Sequence, residues 1–253
     1  MIDLHCHILP NLDDGPSEMA QSLAMARMAS DDGICEIAAT PHMLNTAYDI
    51  SPQKINEHVD FFNKTLEKNE IELTVYPGAE IYFHPKLSTH IANKTVSSIN
   101  DTNIYYLIEF PFHFLPDGFK NEIFQLRLNQ VIPIIAHPER NVVLQKQPEL
   151  FYDIINLGCL IQVNTTSIIG GFGEETMACA HQLLKHRLAH IIASDAHSAR
   201  YRPPVLSIAV DIAAQIMDSK TEALAMVKDL PSRIIAGDHI EISPPPPLSK
   251  KFR

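Results

Sequence analysis

The chain has 253 residues, 45% of them hydrophobic, and a formal net charge of -10. That length and apolar content suffice for one large core and suit an α/β barrel formed as a single domain. The acid excess excludes a general nucleic-acid binder, which would present a basic surface. Cys6, Cys35, Cys159 and Cys179 form no C-x-x-C pair, so neither a zinc ribbon nor a redox motif is indicated, and a reducing cytoplasm is the expected compartment. The N-terminal MIDLHCHILP has no basic n-region and no long apolar stretch, so neither a signal peptide nor a membrane span is expected.

Short apolar runs alternate with helical patterns along the chain. The first run, MIDLHCH, precedes a helical stretch over 17–31 that uses Met19, Leu23 and Met25 and stops at Gly33. The second, ICEIAATPH, is broken by Pro41. Ser51 and Pro52 then read as an N-cap and a first-turn proline opening a helix in SPQKINEHVDFFNKTLEKN. The third run is ELTVYPGAEIYF, the fourth NIYYLIEFPF, the fifth VIPIIAHPER, the sixth GCLIQVNTTS and the seventh AHIIASDAH. Helices are predicted between most of them, including 117–129 and 174–187. Such β-α alternation predicts parallel strands with crossover helices, and seven units favour a closed barrel over an open sheet. Residues 1–242 are read as one domain. Residues 243–253, SPPPPLSKKFR, form a proline-rich tail of extended type, either mobile or a docking segment.

The polar residues fall where the runs end. Run one ends in His5 and His7, run two in His42, run three near Glu80 and run four in Glu109. Run five ends in His137, followed by Glu139 and Arg140, and run seven in Asp195 and His197. Active sites of α/β barrels lie at the carboxyl ends of the strands, so these side chains would converge on one mouth. Residues two apart on a strand share a face, so His5 and His7 can reach one ion, and Cys6 between them is expected to face away. A lone buried histidine is usually structural, but a whole set confined to strand ends is hard to produce by packing. Mixed histidine and carboxylate ligands suit Mn, Fe or Zn better than Mg or Ca, and their number exceeds the needs of one ion. His58, His84, His90, His181, His186, His190 and His239 are read as surface or structural. His113, close after Glu109, stays open between loop and site.

The ordered motifs H-C-H-I-L-P-N-L-D-D-G, T-P-H, E-I-Y, L-I-E-F, A-H-P-E-R and S-D-A-H resemble the polymerase and histidinol phosphatase (PHP) superfamily. D-D-G-P at 13–16, G-A-E at 78–80, L-I-E-F and R-P-P at 202–204 resemble, more narrowly, the bacterial manganese-dependent tyrosine phosphatases of capsule and exopolysaccharide loci. The resemblance runs from residue 1 to about residue 235. It implies a distorted (β/α)7 TIM-like barrel of PHP type with three divalent ions, manganese first, iron or zinc as alternatives. Carried over motif by motif, one ion would take His5, His7, Glu80 and Asp195. A second would share Glu80 and add Glu109 and His137. A third would take His42, His197 and Asp14, with Asp13 as the fallback.

The activity so implied is hydrolysis of phosphotyrosine by a metal-activated hydroxide, with Arg140 and Arg202 gripping the phosphate through their planar guanidinium groups. The implied partner is a phosphotyrosine protein, a membrane tyrosine autokinase of polysaccharide export. A cysteine mechanism is excluded by counting. Cysteine phosphatases use C-x5-R, and six residues after the four cysteines stand Leu12, Pro41, Thr165 and Lys185. The rival readings are a small-molecule phosphomonoesterase such as a histidinol phosphatase, and a non-catalytic adaptor stabilised by metal.

Overall fold

The computed structural model describes residues 1–48, 50–242 and 244; the rest of the proline-rich tail lies outside the described residues. The first run forms β1 (Ile2–Cys6), buried throughout. Helix α1 (Met19–Asp31) follows and reverses at Gly33, whose φ of 83° lets its N–H and that of Ile34 reach back to the Ser30 and Ala29 carbonyls. The second run gives two strands, β2 (Glu36–Ala39) and β3 (His42–Met43). Helix α2 (Pro52–Lys68) starts where the Ser51 hydroxyl accepts from the Lys54 N–H, and it buries Ile55, Val59, Phe62 and Leu66 along one stripe.

The third run also splits, into β4 (Thr74–Pro77) and β5 (Glu80–Tyr82), before α3 (Leu87–Ala92). Then come β6 (Tyr105–Glu109), α4 (Phe119–Leu128), β7 (Ile132–Ala136), α5 (Val142–Lys146) and α6 (Glu149–Asn156). The chain continues through β8 (Leu160–Asn164), α7 (Thr165–Ile168), α8 (Glu174–Lys185) and β9 (Ile191–Ala193). It closes with α9 (Ser207–Met217), α10 (Lys220–Ala225) and α11 (Asp229–Ala236). No described helix is long and apolar enough to cross a membrane.

All strand pairing within the sheets is parallel, as the β-α alternation requires. The seven runs become nine strands in two sheets among the described residues, ordered β1-β2-β4 and β3-β5-β6-β7-β8-β9. Two local features divide them. Pro41 has no N–H to give to a ladder. At Gly78 an added Cβ would stand 3.2 Å from the Ala39 carbonyl oxygen and 3.1 Å from Ile99, so the backbone there bends against its neighbours. A parallel bridge between Cys6 and Ala196 links the end of β1 to the segment after β9.

Period-two alternation sends each strand's side chains into two separate apolar clusters. Tyr105, Leu107, Ile132, Ile134, Leu160 and Ile191 fill an inner cluster with Ile234 and Ile235 of α11. Their neighbours Tyr106, Ile108, Ile135, Ile161 and Ile192 join Phe62, Leu66, Phe151 and Leu183 of the surrounding helices. The register of β1 on β2 shifts between Asp3 and Cys6, so that Leu4 packs in the inner cluster and Cys6 in the outer one. Followed toward the carboxyl ends, the inner positions of β6 reach Glu109 and those of β8 reach Gln162 and Asn164. The polar residues therefore begin where the inner apolar layer stops.

Asn141 ties two of these strand exits together. Its side chain donates to the Pro111 and Phe114 carbonyls at 2.6 and 3.0 Å and caps α5 by accepting from the N–H groups of Val143 and Leu144. Asn141→Ala is expected to cost about 2–3 kcal/mol, because it removes a helix cap and leaves buried carbonyls unpaired. Urea unfolding of the purified variant measures this; an unchanged midpoint would remove Asn141 from the framework.

Candidate active site

Hydrogen bonds between backbones bring the two ends of the chain's strand series together. The Asp195 N–H donates to the His5 carbonyl and the His7 N–H to the Ala196 carbonyl, both at 2.8 Å. Asp195 and His137 leave their strands with positive φ, 51° and 31°, which turns the chain sharply at the mouth. Each such backbone costs on the order of 1–3 kcal/mol and is tolerated where surrounding contacts hold it.

The structure brings His5, His7, Asp14, His42, Glu80, Glu109, His137, Asp195 and His197 to this one mouth. Glu80 lies at the centre. Its Oε2 stands 3.4 Å from His5 Nε2, 3.3 Å from His7 Nε2 and 3.0 Å from His42 Nδ1, and its Oε1 stands 2.7 Å from His137 Nε2. Asp195 Oδ1 lies 3.4 Å from His5 Nε2 and 3.6 Å from His7 Nε2. On the other side, Asp14 Oδ1 is 3.4 Å from the Nε2 atoms of both His42 and His197.

Three groups here have donor atoms within 4.8 Å of one another: His5, His7, Glu80 and Asp195; His7, Asp14, His42 and His197; and His42, Glu80 and Glu109. His137 borders the last, 3.9 Å from Glu109 Oε1. The arrangement suits cations. The Nε2 atoms of His5 and His7 face each other at 3.3 Å, while each ring's Nδ1 is engaged elsewhere, with Gln162 and Asp13. A proton shared between them, or a cation in its place, relieves the repulsion of the two lone pairs. His42 Nδ1 is buried and, despite its nearness to Glu80, has no hydrogen-bond partner.

Asp13 and Asp14 occupy different places. Asp13 accepts from His7 Nδ1 at 2.6 Å, from the Gly15 N–H at 3.0 Å and from the His42 N–H at 3.2 Å. Asp14, half exposed, points a free carboxylate at the two imidazoles. The turn is seated by Gly15, where an added Cβ would press against the His7 carbonyl oxygen closer than real side chains allow. Gly15→Ala is therefore expected to push both aspartates off their imidazoles and weaken cation affinity by about 10–100-fold with the fold intact. Calorimetric titration with Mn2+ measures it, and wild-type affinity would contradict the placement.

Burial opposes a charge on His7 and His42, yet the carboxylates outweigh it. His7 is held at about 10, chiefly by Asp13, and His42 at about 11, by Asp14 and Glu80. Burial likewise opposes the charge on Glu80 and Asp195, but the facing imidazoles, joined at Asp195 by Arg202, hold both below the usual carboxylate range. Burial and the charge of Glu80 push Glu109 up to about 8. Near neutral pH the metal-free rings of His7 and His42 thus hold protons that a cation must displace. Proton release on cation uptake is expected, with apparent affinity rising with pH until those rings deprotonate. Binding enthalpies that do not vary between buffers of different ionisation enthalpy would contradict this.

Arg140 and Arg202 flank the same mouth. Arg140 Nη1 lies 3.4 Å from Asp195 Oδ2, and Arg202 Nη2 pairs with the same oxygen. The Arg140 guanidinium is held between the rings of Phe112 and Phe172, 4.3 Å from each centroid. Arg202 lies 5.7 Å from the Phe172 ring, and its Nε has no hydrogen-bond partner. Both arginines, with His42, Glu80, Glu109, His137 and Asp195, line a cavity of about 260 Å³. His113 is exposed and does not line it. Sequence reasoning missed Phe172, carried on a glycine-rich loop without periodicity, and it missed Gln162 and Asn164. Those two buried amides have the same two-residue spacing as His5 and His7, which was the available signal.

The model of the family described as "Capsular polysaccharide synthesis, CpsB/CapC" matches residues 1–236. The chain is 42% identical over 202 residues to the tyrosine-protein phosphatase YwqE of Bacillus subtilis, covering 80% of this chain and 79% of that protein. It is 29% identical over 240 residues to the tyrosine-protein phosphatase CpsB of Streptococcus pneumoniae, covering 93% and 98%. Among solved structures, one from work on YwqE and CpsB, described there as metal-dependent tyrosine phosphatases, superposes with a TM-score of 0.92 at 36% identity, covering 99% of this chain and all of that one. A histidinol phosphate phosphatase of Lactococcus lactis shares the fold at a TM-score of 0.56 and 13% identity. With a family match spanning residues 1–236, this protein belongs to the CpsB/CapC family of capsular polysaccharide synthesis.

Proposed function

We propose that the chain is a metal-dependent protein-tyrosine phosphatase, cytoplasmic, acting on a membrane tyrosine autokinase that regulates capsular or exopolysaccharide synthesis. The observation that carries this reading is the cavity in which two arginines face a cluster of histidines and carboxylates. On this reading the two sheets are parts of one distorted (β/α)7 barrel spanning residues 1–242. His5, His7, Glu80 and Asp195 hold one ion, Glu80, Glu109 and His137 a second, and Asp14, His42 and His197 a third, manganese being the best match to the ligand set. Asp13 is assigned to orienting His7 instead of to an ion.

Bound cations supply Lewis acidity and lower the pKa of water toward neutrality. The protein's own groups do the rest. Arg140 and Arg202 bind phosphoryl oxygens and draw off charge as it builds there. Phe112 and Phe172 hold Arg140 so that little side-chain freedom is lost on binding. A tyrosine leaving group, with a pKa of about 10, needs less protonation on departure than an alkyl alcohol would. Cys6, Cys159 and Cys179 are poor thiolate nucleophiles, because burial pushes them above the ordinary thiol range.

The test compares turnover of a phosphotyrosine peptide and of histidinol phosphate by the Mn2+-loaded protein, with and without chelator. The peptide is expected to be the better substrate and chelation to abolish its turnover. Preference for histidinol phosphate would point to a small-molecule phosphatase, and no turnover of either would point to an adaptor.

A further inference from the structure

The sixth apolar run ends in no histidine or carboxylate, yet its strand reaches the same mouth. β8 presents Gln162 and Asn164 there, both fully buried and two residues apart, on the inner face. Gln162 Oε1 lies 3.0 Å from His5 Nδ1. Gln162 Nε2 donates to Asn164 Oδ1 at 2.8 Å, and Asn164 Nδ2 donates to Asp195 Oδ2 at 2.6 Å. The strand end is itself held, because the Asn164 N–H donates to Glu139 Oε1 at 2.9 Å.

We propose that Gln162 and Asn164 form a one-way hydrogen-bond relay from His5 to Asp195 that fixes His5 in the tautomer presenting Nε2 to the metal centre. The inference rests on the metal-centre reading above. Its direction follows from chemistry alone. Asp195 is paired with both arginines and, as a carboxylate, can only accept. Asn164 must therefore turn its NH2 toward Asp195 and its oxygen toward Gln162. Gln162 must then turn its NH2 toward Asn164 and its oxygen toward His5. With an oxygen facing it, His5 Nδ1 must carry the proton, and the lone pair is left on Nε2. Reversing either amide sets two acceptors or two donors against each other in a buried place, where neither can turn to water instead.

The relay thus joins two ligands of one ion, His5 and Asp195, through side chains that touch neither substrate nor cation. They are positioning residues, of the kind whose loss typically weakens metal affinity about 10–100-fold. The loss should be selective. The Gln162 and Asn164 side chains hydrogen-bond to His5 and Asp195, and to none of Asp14, His42 and His197.

The test uses Gln162→Met, which fills the same space without the amide, and Gln162→Glu, which keeps an acceptor for His5 Nδ1. Metal-free wild type, both variants and His5→Ala are titrated calorimetrically with Mn2+. In parallel, the zinc-loaded forms are examined by 15N-edited NMR for the imidazole proton that disappears in His5→Ala. Gln162→Met is expected to weaken one cation step by about 10–100-fold and leave the others, and to expose the His5 Nδ1 proton to rapid solvent exchange. Gln162→Glu is expected to keep that proton protected, and thermal unfolding of the metal-free forms reports whether each variant folds. Wild-type affinity and a protected proton in Gln162→Met would overturn the relay while His5→Ala still lost its cation. If His5→Ala bound cations like wild type, the metal-centre reading would fall and the relay with it.

Discussion

Glu80→Gln is expected to lower turnover of a phosphotyrosine peptide by about 10³-fold and to remove more than one cation per chain. Glu80 reaches four imidazoles, those of His5, His7, His42 and His137, and belongs to two of the three donor groups. Its two oxygens face different partners, so no neighbouring carboxylate can take its place. An amide there would set an NH2 group among ring nitrogens that need an anion. Metal content by mass spectrometry, together with kcat on the peptide, gives the answer. A full cation complement and undiminished turnover would show that Glu80 is not the bridge.

Arg140→Ala and Arg202→Ala are each expected to lower kcat/KM by about 10²–10³-fold, the usual consequence of removing a donor that stabilises charge built up in the transition state. Both guanidinium groups converge on Asp195 Oδ2. Lysine should rescue poorly, because an ammonium cannot reproduce the planar fork, nor Arg140's stacking between two phenyl rings. Phe172→Ala, which leaves both charges in place but removes the ring beside them, is expected to give a smaller loss expressed mainly in KM. Cation affinity separates direct from indirect effects. If Arg140→Ala lost cations to the same extent as activity, its contact with Asp195 rather than with phosphate would be its function.

Parallel strands buried on both faces read as unbroken apolar runs, so polar residues stand out where the chain emerges. That is why His5, His42, Glu109 and Asp195 are legible in the sequence; the helix opening at Ser51–Pro52 is legible for a local reason, its N-cap hydroxyl and first-turn proline. The division of the second run could be read from Pro41. The division of the third could not, because it depends on Gly78 lying against Ile99 and Ala39. Asp13 and Asp14 are identical neighbours, and only their partners separate them: His7 Nδ1 and backbone N–H groups for one, His42 and His197 for the other. Gln162 and Asn164 do not stand out because they are neither histidine nor carboxylate, and their role exists only relative to His5 and Asp195 across the mouth.

The central claim is that these side chains hold three cations in one cluster. Anomalous X-ray scattering at the manganese edge, from crystals grown with Mn2+, tests it directly. Three peaks are expected, one among His5, His7, Glu80 and Asp195, one beside Glu80, Glu109 and His137, and one between Asp14, His42 and His197. A single peak, or peaks away from these residues, would contradict the account.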